Sequence, residues 1–433
     1  MLEFKLTPFD VLYFGKTKPF SIGDVVKSDY IPSSYMLASA VCSKLYQAFN
    51  IQTQNIIKTF YGPFVEYDKK LYIFKPHNIY KFKSKYSNNY NDNNLKYFIL
   101  IPINLEKNFE IFKIYDCDNN LYSFSSYFLY FVHNNEEDIE QLPANKMDCQ
   151  KSKVDNNQED IEPFEGLISL QALEKYIQRI NKIDFKNLNN FQNLDNILKL
   201  EKNDILDFED IFDFDQRIGI RLDDNTRNVY QQNGLYRVDF LSLKPTTLNH
   251  NFSFVFYLEF NESLSIDFIN FFKNNRILKL GGENKFTYYN LKEQSLFNKL
   301  NYYSKIFKNS NNKENYQKIL NKDRIFVIFL TDGYYRDYQE LQESINYKFK
   351  DFKIESIIFN GLKIVGKYSV KAGNTKVSKK VLLPGTVLFL TKNNQSNNQN
   401  TESNQLNVML DFLINKNNLL NSDFIGSNLV LFF

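Results

Sequence analysis

The chain has 433 residues, a formal net charge of +3 and 43% hydrophobic residues. This length is too great for one ordinary core and predicts two domains, and the apolar fraction is sufficient for a sizeable core. The small net charge excludes a uniformly basic surface, so a polyanionic partner would have to be bound by local clusters of basic residues.

The first half of the chain predicts strands and two helices separated by polar segments. Residues 2–14 form an apolar, strand-like run, and apolar residues at helical spacing follow a capping residue at Ser33 or Ser34. Ser169 precedes a second run of helical spacing and is predicted to cap it. The acidic, amide-rich stretch 133–163 predicts a surface loop, and the alternation in 235–243 predicts a half-buried strand.

The second half of the chain repeats this succession of elements. The predicted strands are 252–260, 286–291, 324–331, 354–364, 386–391 and 428–433. The predicted helices are 263–273 and 406–414, and 293–323 is predicted to be a polar helix or an insertion. Strand–helix–strand–strand–helix–strand, found twice, predicts an α+β fold with two ferredoxin-like (RRM-like) domains carrying insertions.

Pro245 is predicted to mark the domain boundary, since proline cannot donate to a β-ladder and disfavours continuation of a strand. The N-terminal domain is predicted to be 1–245, with an insertion near 133–165. The C-terminal domain is predicted to be 246–433, with insertions near 293–323 and 392–405.

The cysteine content and the hydropathy of the sequence predict the cellular compartment of the protein. The three cysteines, Cys42, Cys117 and Cys149, are odd in number and widely spaced, so they predict neither a disulfide framework nor a zinc site. The sequence has no signal peptide and no apolar run of about 18 residues. These features predict a cytoplasmic protein that is not inserted in a membrane.

The sequence shows no recognisable motif of catalytic residues. The three histidines, His77, His133 and His250, do not adjoin a nucleophile motif, and each is interpreted as a solvated or hydrogen-bonded surface residue. A metal-independent ribonuclease could use one of them as a general base, so that alternative stays open. The acidic span 204–215 could supply oxygen ligands to Mg²⁺, but a solvated acidic face is the favoured interpretation. No phosphate-binding loop, dinucleotide fingerprint or zinc-protease motif is present, so neither a cofactor nor a metal is predicted.

Basic residues cluster at two places in the first half. Lys16 and Lys18 follow Phe14, and an aromatic ring beside lysines could stack a base while the lysines hold its phosphate. A solvated loop with a buried Phe14 is the equal alternative. Arg217, Arg221 and Arg227 fall within eleven positions in a chain that otherwise uses lysine, which suggests a need for the bidentate guanidinium. Salt bridges to the preceding aspartates would explain them equally well.

Two further segments of the second half could contact phosphates. Gly281 and Gly282 permit close backbone approach, either to a phosphate or to a packed strand. Between Gly366 and Pro384 the chain has several lysines and no acidic residue: Lys367, Lys371, Lys376, Lys379 and Lys380. Phosphate contacts from such a segment would position RNA without reading its bases.

In order along the chain, several of these segments resemble the third subunit of the Cmr complex of type III-B CRISPR systems, a member of the RAMP superfamily in its Cas-five-like group. The similar segments are Thr7-Pro8-Phe9-Asp10-Val11-Leu12-Tyr13-Phe14, Lys18-Pro19-Phe20-Ser21-Ile22-Gly23-Asp24, Gly166-Leu167-Ile168-Ser169-Leu170, Arg217-Ile218-Gly219-Ile220-Arg221, Gly234-Leu235-Tyr236, Leu280-Gly281-Gly282-Glu283 and Leu383-Pro384-Gly385-Thr386-Val387. The matches are collinear and extend to about residue 390.

The sequence departs from this family pattern at several positions. Gly15 stands where the family usually has an arginine after the two aromatic residues of the first strand, so the expected contact moves to Lys16 and Lys18. Leu167 replaces a usual tryptophan, and the C-terminal glycine-rich signature is reduced to Gly426-Ser427-Asn428.

The resemblance implies a non-catalytic subunit with two ferredoxin-like domains that binds the repeat-derived 5′ tag of the CRISPR RNA. It also implies that the subunit caps the backbone of the complex and contacts the large polymerase-like subunit and the backbone RAMP subunits. The residues that we expect to contact RNA are Lys16, Lys18, Arg217, Arg221, Gly281, Gly282, Lys371, Lys376, Lys379 and Lys380.

Three other functions remain open from the sequence. The chain could be the equivalent subunit of another type III complex, such as type III-A. It could instead be a metal-independent CRISPR RNA-processing endonuclease, or a structural interaction module that does not contact RNA.

Overall fold

The computed structural model describes most of the chain in separate ranges. The described ranges are 1–15, 25–50, 56–83, 97–99, 103–104, 110–115, 121–125, 127–128, 160–162, 164–181, 200–220, 235–248, 250–261, 265–282, 285–304, 307, 313–335, 338–365, 368–369, 374–375, 379–392, 408–413 and 426–433. Much of the predicted insertion 133–165, most of the predicted insertion 392–405 and His133 lie outside these ranges.

The helices of the described residues are α1 Ser34–Phe49, α2 Leu170–Asn181, α3 Phe208–Ile211, α4 Pro245–Leu248, α5 Ser265–Asn274, α6 Leu296–Tyr303, α7 Lys313–Leu320 and α8 Tyr338–Lys348, with a short 3-10 helix at Lys202–Asp204. In the first half the strands are β1 Leu2–Pro8, β2 Val25–Lys27, β3 Ile57–Tyr67, β4 Lys70–Phe74, β5 Ile79–Lys83, β6 Tyr97–Ile99, β7 Ile103–Asn104, β8 Glu110–Tyr115, β9 Leu121–Ser125, β10 Tyr127–Phe128, β11 Asp160–Glu162, β12 Gly166–Ser169, β13 Ile205–Asp207, β14 Phe212–Ile220 and β15 Leu235–Leu243. In the second half they are β16 Ser253–Phe260, β17 Ile277–Lys279, β18 Phe286–Glu293, β19 Arg324–Phe329, β20 Gly333–Tyr334, β21 Phe352–Ile358, β22 Leu362–Val365, β23 Tyr368–Ser369, β24 Asn374–Thr375, β25 Lys379–Leu382, β26 Val387–Lys392, β27 Met409–Phe412 and β28 Leu429–Phe432.

Two large sheets organise the described part of the chain. The first has the strand order β13-β12-β4-β3-β16-β1-β18-β17, and the second has the order β21-β26-β19-β28-β27. Pairing within both sheets is antiparallel. The fold is therefore a mixed α+β fold, as predicted, while its assignment to two ferredoxin-like domains remains a prediction.

The first sheet joins strands from both sides of residue 245. Strand β1 pairs with β16, where Leu2 is opposite Leu258, and with β18, where Leu2 is opposite Glu293. Helix α1 lies between β1 and β3 in the chain, and α5 lies between β16 and β18. The predicted boundary at 245 stays a prediction about domains, but it is not a boundary between sheets.

The two faces of β1 pack against different layers. Phe4 and Leu6 belong to a core shared with α1 and α5, where the ring of Phe4 stacks on Phe256 at 4.8 Å between centroids. The opposite face of the sheet contributes Tyr257 to a second core, which includes Phe326 of the second sheet and helix α2. The strand period of two thus places the first sheet between helices and the second sheet.

A buried group of charges lies on the face of the first sheet away from α1. The ammonium group of Lys299 on α6 donates to the carboxylate of Glu3, and its Nζ lies 2.9 Å from Glu66 Oε2. Lys5 also pairs with Glu66, and Tyr257 Oη donates to Glu3 at 2.7 Å. These contacts compensate the cost of burying the carboxylates, because each has a cationic or hydroxyl donor.

Both predicted helix caps are confirmed. Ser33 Oγ accepts from the amide of Met36 at 3.2 Å, and Ser169 Oγ accepts from the amide of Ala172 at 3.1 Å. The hydroxyl oxygens thereby satisfy amides that have no partner within the first turn of each helix. The predicted strand at 235–243 coincides with β15.

The prediction of a helix at 406–414 is wrong, since residues 409–412 form strand β27. It pairs with β28, where Met409 is opposite Phe432. Leu410 enters the core between the two sheets, whereas Met409 enters the core beneath α8. Burial of successive residues on opposite faces is strand geometry, and short apolar runs do not distinguish it from a helix.

The predicted solvated acidic face at 204–215 is wrong for Asp204, which is buried. Its carboxylate accepts from Lys175 Nζ at 3.0 Å and from Ser169 Oγ at 3.3 Å. The span contains β13, α3 and the start of β14. The aspartate run is therefore part of an ordered structure whose first carboxylate is fully paired.

Candidate nucleic-acid interface

A small sheet with the order β14-β15-β2 holds two of the predicted basic segments at one end. Ile220 at the end of β14 lies opposite Leu235 at the start of β15, and β15 runs parallel to β2, with Arg237 beside Val25. The ends that lead into 16–24 and 221–234 are therefore adjacent. The predicted contacts Lys16, Lys18 and Arg221 lie outside the described residues.

The described residues that flank 16–24 are joined by hydrogen bonds. The amide of Phe14 donates to Ser28 Oγ at 2.8 Å, and the amide of Asp29 donates to the carbonyl of Phe14 at 3.1 Å. The ring of Phe14 is buried in the core, where it contacts Phe254 edge-on at 5.9 Å. Phe14 therefore anchors the segment and is not itself exposed to stack on a base.

The pair Gly281-Gly282 packs against the same junction. Gly281 has φ +79, and a Cβ on it would lie 2.2 Å from the carbonyl oxygen of Tyr13. The amide of Gly282 donates to that oxygen at 2.9 Å. The close approach that these glycines permit is thus made to the backbone of Tyr13, which is outside any strand, and RNA contact at them remains a prediction.

Arg217 is on β14 beside the same junction. Its Nη2 lies 2.6 Å from Asp215 Oδ2 and 3.6 Å from Asp10 Oδ2, and its guanidinium lies over the ring of Phe240 at 5.2 Å. The hydrogen bond to Asp215, followed by the nearby carboxylates, raises the pKa of Arg217. The salt-bridge alternative is therefore present, although 43% of the side chain is exposed and can still meet a phosphate.

The lysine-rich segment forms a β-hairpin. Strand β22 pairs with β25, with Ile364 opposite Lys380, and β23 pairs with β24 beyond them. Lys379 and Lys380 lie in β25, while Lys371 and Lys376 lie outside the described residues. At the base of the hairpin, Lys363 pairs with Asp29, which joins this hairpin to the junction that anchors 16–24.

A cleft of about 940 Å³ opens on one side of the junction. It is lined by Phe14 and Gly15, by the small residues of α1 such as Ser39, and by cationic side chains. The lining lysines are Lys44, Lys279 and Lys363. Gly281 also lines this cleft, so the glycine turn forms part of its wall.

A second cleft of about 830 Å³ lies on the other side and shares Asp29 and Lys363 with the first. Its walls carry aromatic rings, including those of Tyr30, Phe74 and Phe164. Proteins bind single-stranded nucleic acid by stacking its bases on aromatic rings and by contacting its phosphates with basic side chains such as lysine.

Lys75 and His77 lie in this second cleft. Burial lowers the pKa of Lys75 to about 7, and its Nζ donates to the carbonyl of Ile79 at 2.6 Å and lies 4.4 Å from the centroid of Phe164. Burial also lowers the pKa of His77 to about 3, so this histidine is neutral near pH 7. His77 is half-buried in the wall of this cleft, so it is less exposed than a fully solvated surface histidine. Its amide donates to the carbonyl of Gly385 at 2.7 Å.

The sequence did not single out the lysines that line the clefts, Lys27, Lys44, Lys75, Lys279 and Lys363. Lysine is abundant in this chain, so no single lysine stands out by its type. Lys75 is next to Pro76 and His77, but only the folded position of the β4 end makes it buried.

The described residues contain no group of three or more His, Cys, Asp or Glu that could hold a metal ion. His250 Nδ1 lies 2.6 Å from Asp68 Oδ2 at the surface, which agrees with its predicted surface role. Among the described residues no helix is long and apolar enough to span a membrane.

The family comparison covers nearly the whole chain. The model of the family "CRISPR-associated protein (Cas_Cmr3)" matches residues 4–432. The chain belongs to this family. The resemblance inferred from the collinear motifs is thereby confirmed, and the chain is a Cmr3-like subunit of a type III CRISPR complex.

Solved structures of low identity are also similar to this Cmr3-like chain. Two are chains of cryo-EM structures of the type III-B Cmr-beta, one bound to cognate target RNA and AMPPnP (13% identity, TM-score 0.44) and one bound to cognate target RNA (14%, 0.42); each covers 89% of this chain and 86% of its own. A third is a chain of the crystal structure of the Csm3–Csm4 subcomplex in the type III-A interference complex (12%, 0.35, covering 100% and 99%). No curated protein matches the chain. Structural similarity at this level does not indicate function.

Proposed function

We propose that this Cmr3-like chain is a non-catalytic RNA-binding subunit that anchors the 5′ tag of the CRISPR RNA. The observation that carries the proposal is the convergence of four basic or glycine-rich segments on one junction. The residues that flank 16–24, the glycine turn, Arg217 and the lysine-rich hairpin each contact Asp10, Tyr13–Phe14 or Asp29. Residues far apart in sequence thus border two lysine-lined clefts.

The chemistry of this region suits a polyphosphate backbone. Lysine side chains from loop, hairpin and clefts supply point charges for phosphates, while Arg217 and Arg221 supply planar guanidinium groups. Binding by Arg217 requires exchange of its carboxylate partner Asp215 for a phosphate. The small net charge of +3 limits attraction to such local sites.

We propose that the subunit caps one end of the backbone of the complex and contacts the large polymerase-like subunit and the backbone RAMP subunits. Two ferredoxin-like units would supply the scaffold. The order β18-β1-β16-β3 with α1 and α5, and the order β28-β19-β26-β21 with α8, support such units, because the strands alternate with helices as in a split β-α-β fold.

A second candidate is a metal-independent endonuclease that processes CRISPR RNA. It is favoured by the pKa of Lys75, which burial lowers to about 7, since this amine could exchange a proton near pH 7. The Nζ of Lys75 already donates to two backbone carbonyls, of Pro76 and Ile79, which suits a structural role. The scaffold is therefore the first proposal.

Binding of end-labelled CRISPR RNA, with and without its repeat-derived tag, tests the proposal. The affinity of the purified chain is measured at several salt concentrations, for the wild type and for the triple variant Lys371→Glu, Lys376→Glu, Lys379→Glu. If these lysines contact phosphates, the slope of log affinity against log salt becomes less steep by about 2, since each contact to a single strand contributes about 0.7.

The matched control places three glutamates at the exposed lysines Lys313, Lys350 and Lys353, which line neither of the two clefts. This control changes the net charge equally and should leave the slope unchanged. An equal loss in both triple variants would show that only overall charge matters. Specific cleavage of the RNA without metal would favour the endonuclease.

A further inference from the structure

Strand β14 is an edge strand of the small sheet, with β15 on one side and no further strand of the described residues on the other. The hydrogen bonds of β15 determine in which direction the N–H and C=O groups of each β14 residue point. Leu241 of β15 exchanges hydrogen bonds of 2.8 Å with Leu12, and the carbonyl of Asp239 accepts from Ser28. The odd residues of β15 therefore direct their polar groups away from β14.

The residues of β14 opposite these odd positions must in turn direct their N–H and C=O groups away from β15. By register they are Phe214, Gln216, Ile218 and Ile220. The amide of Phe214 is already satisfied by Asp213 Oδ1 at 2.8 Å. Beyond Phe214, the outer edge of β14 is a row of backbone donors and acceptors at every second residue, the arrangement to which another strand can add.

Two of these residues, Ile218 and Ile220, contribute to an aliphatic patch, which is interrupted by Arg237 in its ion pair with Asp239. Ile218 and Ile220 are 73% and 53% exposed, and Leu235 and Val25, on the same face by register, are 56% and 59% exposed. Farther along this face, Phe212 lies in the main core. The patch is thus the uncovered continuation of a core face, as is typical of a surface that another protein covers.

The opposite face of β14 has a different chemistry. The carboxylates of Asp213, Asp215 and Asp10 lie on or beside it, Arg217 pairs with the last two, and Lys285 lies over the ring of Phe240 on the same face. A strand added to this edge would place alternate side chains on the two faces. Aliphatic side chains would meet Ile218 and Ile220, and basic side chains would meet the aspartates.

We propose that the free edge of β14 accepts a β-strand from a neighbouring protein subunit, one that alternates aliphatic residues with lysine or arginine. The added strand would extend the small sheet by main-chain hydrogen bonds, while the aliphatic patch and the aspartates select the sequence. This inference rests on the proposed function only in taking the neighbour to be a subunit of the same CRISPR complex.

Hydrogen–deuterium exchange resolved to single amides tests it, on the isolated chain and on the complex formed by co-expression with the other subunits of its CRISPR system. The amides of Gln216, Ile218 and Ile220 are expected to exchange fast in the isolated chain and roughly tenfold or more slowly in the complex. The amides of Arg217 and Gly219, which face β15, are expected to be protected in both. Guide RNA binding is measured on the same samples.

Two variants sharpen the test. Gln216→Pro removes an outward amide without removing a bond to β15, and Ile218→Lys places a charge in the patch. Each is expected to weaken subunit association by roughly tenfold. Tyr347→Lys, at an exposed aromatic residue on α8, is the matched control and should associate like the wild type.

The outcomes separate the two proposals. Unchanged exchange at all three outward amides in an assembled complex would overturn the added strand, even if guide RNA binds normally. Protection produced by guide RNA alone, without protein subunits, would also overturn it and assign the patch to RNA. A third outcome is that the outward amides are protected only when a protein subunit is present, while the chain does not bind guide RNA. This outcome would support the added strand and overturn the proposed function.

Discussion

Replacement of Gly281 by alanine should destabilise the protein. The same replacement at Gly361 provides the reference against which the loss of stability is compared. Gly281 and Gly361 have similar positive φ angles, +79 and +85, so alanine is strained at both. A Cβ on Gly361 would have no heavy atom within 4 Å, whereas a Cβ on Gly281 would lie 2.2 Å from the carbonyl oxygen of Tyr13. The pair therefore separates backbone strain from steric overlap.

The expected magnitudes follow from these distances. Gly361→Ala should cost about 1 kcal/mol, the lower end of the cost of a left-handed conformation for a residue with a Cβ. Gly281→Ala carries the same cost and must also move the Tyr13 carbonyl away by about 1 Å to reach an ordinary carbon–oxygen contact. That movement lengthens the hydrogen bond from Gly282, which is worth about 1 kcal/mol, and disturbs the packing around it. We expect a total of about 3 kcal/mol.

Urea denaturation followed by circular dichroism measures both variants, since the chain has no tryptophan for fluorescence. The midpoint of Gly281→Ala should fall well below that of Gly361→Ala, and Gly361→Ala should lie just below the wild type. Equal midpoints for the two variants would refute the reasoning, because they would mean that the Tyr13 carbonyl does not restrict the glycine turn.

Three further perturbations have defined outcomes. Lys299→Met should cost about 3 to 5 kcal/mol in urea denaturation, because it leaves the buried carboxylate of Glu66 with fewer donors. Burial lowers the pKa of Lys75 to about 7 from 10.5, so the folded state binds fewer protons between these values. The stability of the wild type relative to Lys75→Met should therefore rise with pH across that window and be flat below about pH 7. Asp215→Asn should strengthen RNA binding a few-fold in a filter assay by releasing Arg217, and Arg217→Ala should remove this gain.

Local elements of the fold could be predicted because their determinants are close in sequence. The caps at Ser33 and Ser169 need only a hydroxyl before an apolar helical pattern, and β15 needs only its own alternation. The pairing of β1 with β16 and β18 could not be predicted, because an alternating strand is compatible with many partners. The helix expected at 406–414 failed for the same reason, since its strand geometry is imposed by β28.

The candidate site was predictable in part. Residue type and spacing indicated Arg217 with the alternative of a salt bridge, and the close backbone approach at the glycine turn, both of which the structure contains. The contributions of Lys44, Lys75 and Lys363 depend on tertiary position and have no local signal. The joining of the lysine-rich hairpin to Asp29 likewise depends on two segments far apart in the chain.

The junction around Phe14 is built from protein contacts alone, and this bears on how RNA would bind. The amide of Phe14 donates to Ser28 Oγ, and the amide of Gly282 donates to the carbonyl of Tyr13. Lys363 forms an ion pair with Asp29. The frame that flanks the basic segments is therefore formed by contacts within the chain. Preorganisation of this kind reduces the entropy cost of binding. It also divides the residues into two groups: changes in the frame should lower both stability and RNA affinity, whereas changes at Lys371 and the other outer lysines should lower affinity alone.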